Sequence, residues 1–422
     1  MNSKKLKIGL FGFGTVGKGL YDVLKRIGAD NVEICHICVR DISKPRSVEA
    51  KFTDNPDDIF SNPEVNFIVE LIDDAEAAYS IVKTALMKRL PVVSGNKKML
   101  AYHIEELIEL QQQYNTALLY DASACGSIPV IRNLEEYYDN DLLTSVKGIL
   151  NGSSNFILSK IFNEKMSYPA ALKLAQDLGF AESNPSLDID GWDSLFKLII
   201  ITVHAFGLYV APEKIFTYGI SNMNDDDIRF ATEKERRFKL VAHVEKLADN
   251  RLIMSVMPQL ISRNKYIYSV EDEFNGVVIK GLFYDKQFMF GRGAGGYPTG
   301  SAVLSDITAC LYNYKYEYKK RNNSQLPTYT TDHSFRVYYR YQDYADLDLI
   351  KFESVSENYI SDDYKYVVGK VSLRELHKIQ DELRRRRRDS INTVKKTNGF
   401  ISLEKRARMS MPSYSDEEDD QW

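Results

Sequence analysis

From Lys7 the chain reads Lys-Ile-Gly-Leu-Phe-Gly-Phe-Gly-Thr-Val-Gly, an apolar strand that runs into the pattern GxGxxG and straight on into a helix. Gly12 permits the tight turn, Gly14 lets the backbone approach a pyrophosphate, and Gly17 lets the helix pack closely on a sheet. The helix start then offers unpaired N–H groups and the positive end of its dipole to phosphates. Alone, such a pattern is also met in structural turns; placed between a strand and a helix it implies dinucleotide binding.

The first third keeps one rhythm. Strand-like runs at Lys7–Phe11, Val32–Val39, Phe67–Leu71, Pro91–Ser94 and Ala117–Tyr120 alternate with helical patterns such as Gly17–Ile27, Ala75–Lys88 and Ile104–Tyr114. Strict alternation of this kind predicts an α/β, Rossmann-type, doubly wound parallel sheet. About 20 residues past the glycine loop, such a fold chooses between NAD and NADP at the end of its second strand. Here stand Val39-Arg40-Asp41, with Lys44 and Arg46 close behind. An arginine there can pair with a 2′-phosphate and Asp41 with a ribose hydroxyl; three cations against one carboxylate favour NADP, the other reading being an ordinary charged surface loop.

At about 100–200 residues per domain, 422 residues make two or three domains. A net charge of −4 gives no general attraction to nucleic acid or membranes, so any polyanion site must be local. The lysines before Ile8 precede an apolar stretch broken by glycine from Gly9 and lacking a small-residue cleavage site, which argues against a signal peptide. The most apolar run, Leu198–Val203, is far shorter than the roughly 18 residues of a membrane span, so a cytoplasmic protein is expected. Cys35 and Cys38 form a CxxC within a strand-like run, where residues three apart face opposite sides; core packing is the expectation, with a redox role as the alternative.

After Ala122 the rhythm changes. A loop of small residues leads to helical patterns near Tyr168–Leu178 and Trp192–Phe206, then to strand-like stretches near Leu252–Leu260 and Gly276–Leu282, as in an α+β domain. From Asn313 the chain is tyrosine-rich and charged, and Phe335–Tyr341 alternates like a half-exposed strand. The organisation read is therefore 1–125 dinucleotide-binding, 126–312 substrate-binding with its last helix returning to the first domain, 313–405 a small C-terminal α+β module, and 406–422 an acidic, disordered tail. The run Arg384–Arg388 reads as a solvated helix end, the alternative being a phosphate or nucleic-acid contact.

Hydride transfer to or from a nicotinamide requires a residue that exchanges the substrate's hydroxyl proton. Ser94-Gly95-Asn96-Lys97-Lys98 follows a strand, and strand ends are where an open sheet binds its ligand, so Lys97 is a candidate beside the cofactor; the alternative is a surface lysine. Gly179-Phe180-Ala181-Glu182 leads to Asp188, Asp190, Asp193 and Lys197. Asp193 and Lys197 share one helix face, and apolar residues follow them at once. A lysine there is partly desolvated beside a carboxylate, which suits a proton shuttle; an exposed i,i+4 ion pair is the plain alternative.

Six ordered motifs, Gly12–Gly17, Val69-Glu70-Leu71-Ile72, Asn96-Lys97, Gly148–Asn155, Gly179–Glu182 and Gly291–Thr299, resemble those of homoserine dehydrogenases and span Lys7 to Leu311. The resemblance implies NAD(P)-dependent interconversion of homoserine and aspartate 4-semialdehyde. It implies Lys197 as proton donor and acceptor, Lys97 as a second lysine near cofactor and substrate, and Glu182, Asp188 and Asp193 as substrate-binding acids. It implies cofactor contacts at Gly12, Phe13, Gly14, Thr15, Val16, Gly17, Arg40, Lys97 and Gly293. A sodium-like monovalent cation is implied at Asp121, Ala124, Gly126 and Ile128, and a homodimer built through the second domain.

Several departures stand out. Asp73-Asp74 replaces two glycines, Asp121 a glutamate, and Ser94-Gly95 a threonine and an alanine. Some relatives of this kind carry a C-terminal βαββαβ regulatory module; after Asn313 its opening strand and glycine-containing turn are not evident, which leaves at most a degenerate version. No aspartate kinase segment is read at either end. Rival readings are another semialdehyde or 2-hydroxy acid dehydrogenase, and a catalytically silent nucleotide sensor that contacts nucleic acid through Arg384–Arg388.

Overall fold

The computed structural model describes residues 5–48, 50–140, 142–362, 364–380, 382 and 399–406. Six strands, β1 (Leu6–Phe11), β2 (Val32–Cys38), β3 (Phe52–Thr53), β4 (Phe67–Glu70), β5 (Val92–Ser94) and β6 (Leu118–Leu119), form the first sheet. Their order is β3-β2-β1-β4-β5-β6 and all pairs are parallel. This is the doubly wound order expected from the alternating runs, and its switch point lies between β1 and β4. Only the two-residue β3 lacked a signal of its own. Cys38 is buried and Cys35 half-buried, and all four cysteines are free thiols.

A second sheet starts with β7 (Leu143–Ile149), β8 (Phe216–Thr217), β9 (Arg236–Lys246), β10 (Arg251–Ser262), β11 (Phe274–Gly281) and β12 (Gln287–Arg292). The antiparallel path is β12-β11-β7-β9-β10, with β8 beside β10. β7 and β9 escaped the sequence reading because Thr144, Ser145 and Lys147 interrupt the first and basic residues flank the second. The helix Gly152–Glu164 escaped too: Gly-Ser-Ser reads as a loop, yet the Asn151 side chain accepts from Ser154 N at 2.8 Å and starts a helix there.

Between the two sheets lies the helix Trp192–Phe206, buried at every position after Trp192. It packs on helices Lys97–Tyr114 and Val130–Glu136 and on β9, so one residue run serves both domains. Its far end is clamped. His204 Nδ1 meets Glu135 Oε1 at 2.6 Å, and its Nε2 meets the Tyr120 hydroxyl at 2.8 Å, with Tyr316 and Tyr318 packed around the ring. The helix Gly296–Leu311 returns to pack on Thr15–Ile27.

The C-terminal strands are β13 (Thr328–Tyr329), which pairs with β10, then β14 (Ser334–Tyr341), β15 (Ser354–Ile360), β16 (Lys365–Ser372) and β17 (Phe400–Arg406). With the helix Tyr344–Leu347 and helical residues 373–380, their order is βαββαβ. This corrects the reading that the module's opening was missing. The turn after β14 holds no glycine because Asp343 and Asp346 close it with a capping box. β14 is also more buried than its alternation implied, since it lies between β17 and β16. β17 pairs with β10, so these strands extend the second sheet. Arg384–Arg388 and the acidic tail lie outside the described residues. No helix among the described residues is long and apolar enough to cross a membrane.

One buried ion pair locks this extension: Arg340 donates to Asp227 at 2.8 and 3.1 Å, and the Tyr338 hydroxyl adds a third bond at 2.9 Å. Arg340→Met strands the Asp227 carboxylate in the core and is expected to cost on the order of 3–5 kcal/mol in urea denaturation. The double variant with Asp227→Asn should recover much of that loss; no recovery would mean the pair does not act as a unit.

Candidate functional site

Loops leaving β1, β4 and β5 converge at the switch point. After β1, Gly12 adopts φ +93°, and a side chain there would meet the Leu71 carbonyl at 2.5 Å. Around Gly14 a side chain would find open space, and no side chain caps the helix Thr15–Ile27. The first-turn N–H groups of Thr15, Val16 and Gly17 therefore stay open toward the crevice. Phe13 packs edge-on against Tyr21 and Phe52 beside them.

The other two loops are tied together by a fully buried carboxylate. Glu70, at the end of β4, accepts from Ser94 Oγ at 2.5 Å and from Ile72 N at 2.7 Å. Asn96 Nδ2 donates to the Ile72 carbonyl at 3.0 Å, while its oxygen caps the helix Lys97–Tyr114. Burial pushes the Glu70 carboxyl up to about 7. The Asp73-Asp74 departure is partly structural, for Asp74 caps the helix Ala75–Met87 by accepting from Ala77 N. At the end of β2, Asp41 accepts from Ser43 N and Oγ at the surface, and Arg40 is exposed beside it.

Lys97 heads its helix, which begins earlier than the hydrophobic pattern suggested, and reaches across to the second domain. Its Nζ lies 2.6 Å from Asp193 Oδ1; the other oxygen of Asp193 is 2.8 Å from Lys197 Nζ. Lys197 is 6% exposed, which sets it apart from a surface ion pair, and it also donates to the Leu150 carbonyl at 2.6 Å. Burial alone would raise the Asp193 carboxyl, but the two ammonium groups outweigh it and hold it well below the usual range. In turn Asp193 is the main reason Lys97 holds its proton more tightly than a free lysine.

Asn151, which the sequence reading left without a role, donates to Asp188 at 2.7 Å and to Asp193 at 3.0 Å. Burial, then the charge of Asp193, raises the Asp188 carboxyl. Glu182 is not drawn into this cluster: it sits exposed on the adjoining loop, two residues beyond Phe180, whose carbonyl binds Ser153 Oγ. Gly293 lies over Asn275, close to Gly126.

The cation loop can be judged from its own contacts. Asp121 Oδ1 accepts from Ile131 N and Arg132 N, and Asp121 N donates to Asp306 Oδ2 at 2.9 Å. Asp306 is fully buried; its Oδ1 takes no hydrogen bond among the described residues but faces Arg132 Nη2 at 3.7 Å. Two adjacent buried acids share Arg132 as a neighbouring cation, and the charge balance leaves room for a further monovalent cation at this loop.

A dinucleotide cradle on a parallel sheet, joined by one shared carboxylate to a lysine in a second domain, defines the class: an NAD(P)-dependent dehydrogenase. Family models for "Homoserine dehydrogenase, NAD binding domain" and "Homoserine dehydrogenase" match residues 12–121 and 129–308. The homoserine dehydrogenase of Helicobacter pylori is 36% identical over 311 residues, covering 72% of this chain and 73% of that protein. That of Bacillus subtilis is 32% identical over 323 residues, covering 74% of each. A crystal structure of a homoserine dehydrogenase from Thiobacillus denitrificans superposes with a TM-score of 0.78 at 26% identity, covering 96% of this chain and 99% of that one. A hyperthermophilic archaeal homoserine dehydrogenase in complex with NADPH gives 0.64 at 26% identity, over 74% and 99%. The chain belongs to the homoserine dehydrogenase family and is an oxidoreductase of that type.

Glu70 generates a test of the cradle. Its folded-state carboxyl titrates above the unfolded one, so between pH 4.5 and about 7 the native form keeps a proton the unfolded form has lost, and stability falls as pH rises. Glu70→Gln removes this, and the stability difference between wild type and variant should drift by up to about 3 kcal/mol across that window. Urea titrations at several pH values would show it; a constant difference would contradict the buried acid.

Proposed function

We propose that Lys197 exchanges the hydroxyl proton in the homoserine reaction, the observation that carries this being its buried ammonium held between Asp193 and the Leu150 carbonyl. A bound nicotinamide accepts the hydride in oxidation and supplies it in reduction. An ammonium has three hydrogens. Two are taken by Asp193 and Leu150, which leaves the third direction for the substrate oxygen. In oxidation the neutral amine presents its lone pair along that direction and takes the hydroxyl proton; in reduction the ammonium returns it.

Asp193 is then the group that sets both lysines, since each of its oxygens already holds one ammonium. Asp188, with one oxygen on Asn151, is left to take the substrate's ammonium, assisted by Glu182 at the rim. Lys97, two-fifths exposed, stands where a substrate or cofactor anion would meet it. The glycine loop Gly12-Phe13-Gly14 with the first-turn N–H groups of Thr15, Val16 and Gly17 would receive the pyrophosphate, with Gly293 close to the dinucleotide. Arg40 would receive a 2′-phosphate, which favours NADP over NAD. Asp121 with the carbonyls of Ala124, Gly126 and Ile128 would hold a monovalent cation that neutralises the buried acids and stiffens the loop.

The working form we infer is a cytoplasmic homodimer joined through the second domain. Exposed Tyr266, Leu282, Phe283 and Phe290 cluster near the edge strand β12, which supports such an interface. The domain division 1–125, 126–312 and 313–405 is retained, the third part joined edge to edge to the second.

Two measurements test these roles. Lys197→Ala should lower kcat for homoserine oxidation on the order of a thousandfold with thermal melting little changed; near-normal turnover would remove Lys197 from the chemistry. Arg40→Ala should raise KM for NADP about tenfold while leaving KM for NAD within twofold; equal effects on both cofactors would place the 2′-phosphate elsewhere.

A further inference from the structure

Asn275, the second residue of β11, is wholly buried. Its Nδ2 donates to the Leu150 carbonyl at 3.0 Å, the same oxygen that receives Lys197 Nζ at 2.6 Å. Its Oδ1 is buried and takes no hydrogen bond among the described residues. Above it lies Gly293, where an added Cβ would fall only 1.9 Å from Nδ2 and 2.5 Å from Oδ1.

Stability does not explain an amide here. One neutral hydrogen bond contributes about 1 kcal/mol, while a buried acceptor left unsatisfied costs about 1–3 kcal/mol, so the side chain is at best neutral and an apolar group would fold as well. What the amide does is fix one carbonyl. Leu150 opens the turn that carries Asn151, and Asn151 orders both Asp188 and Asp193. A carbonyl with two lone pairs can take both donors, and with Asn275 on one of them its direction is set whatever the charge on Lys197.

We propose that Asn275 is a positioning residue of the reaction: by holding the Leu150 carbonyl in place, it keeps Lys197 Nζ aimed at the substrate oxygen in both the ammonium and the amine state. The inference rests on the assignment of Lys197 as proton carrier. When the lysine is neutral its hold on Leu150 weakens, and without Asn275 the peptide would be free to turn away. Asn275 is wholly buried and is not among the groups assigned to substrate or cofactor, so its removal acts on turnover more than on binding. Gly293 completes the device, because any side chain there would displace the amide.

The test compares Asn275→Ala, Asn275→Asp and Lys197→Ala with wild type in homoserine oxidation, over a range of pH, with thermal melting as the check on folding. Asn275→Ala is expected to lower kcat on the order of 10- to 100-fold while KM for homoserine and cofactor moves less than about threefold. In Asn275→Asp a protonated carboxyl can donate to Leu150 as the amide does, whereas an ionised one repels that carbonyl. The ratio of its kcat to wild type should therefore fall as pH rises. Asp193, Asp188, Lys97 and Cys125 also face Lys197, and they are common to both proteins, so the ratio isolates the new group. A ratio flat with pH, or Asn275→Ala within twofold of wild type, overturns the inference while an inactive Lys197→Ala leaves the lysine assignment standing. An active Lys197→Ala overturns both. Should Asn275→Ala not fold, the pH dependence of Asn275→Asp decides alone.

Discussion

One carboxylate, Asp193, carries an ammonium on each oxygen, and the arrangement of the molecule follows from that sharing. Lys97 comes from the first turn of the helix that follows β5 in the dinucleotide-binding domain and Lys197 from the helix Trp192–Phe206 of the second domain, so the same acid joins the two domains and assembles the site. A buried carboxylate with one cation roughly breaks even against its desolvation; with two, the balance turns clearly in favour of the charged form. The second lysine therefore makes the charge affordable and fixes the distance between the glycine-loop cradle and Lys197.

The surroundings of Lys197 are held in place from several sides. The helix Trp192–Phe206 is gripped at the lysine end by Asp193 and Leu150, and at the other end by His204 on Glu135 and Tyr120. Glu70 with Ser94, and Asn96 with Ile72, hold the loops on the opposite wall. These are hydrogen bonds between buried groups, strong in a poorly polarisable interior and costly to leave half made. They orient the reacting groups in advance, which lowers the reorganisation each turnover demands.

The C-terminal module is bound to this frame through β17 on β10 and through Arg340 on Asp227. Its connector runs past Tyr316 and Tyr318, which pack around His204 at the far end of the lysine helix. Module, connector and the helix Trp192–Phe206 thus share one continuous apolar core.

Local pattern was enough for the parallel sheet, the glycine loop, the lysine helix and the family, because each is written within a short window: an alternation of runs, a spacing of glycines, an acid four residues before a lysine. The order of the βαββαβ module was illegible because aspartates rather than glycine made its turn, β7 because Thr144, Ser145 and Lys147 break up its apolar run, and β9 because charges at its ends hid a buried middle. Lys97, Asp193 and Lys197 could be named from sequence as separate candidates, yet their common carboxylate could not, since residues 97 and 193 are brought together only by the packing of two helices. The same holds for Asn275, Glu70 and Asn151. Their types are ordinary and their positions carry no periodic signal, and what they do depends on which carbonyl, hydroxyl or carboxylate a distant segment sets within about 3 Å of them.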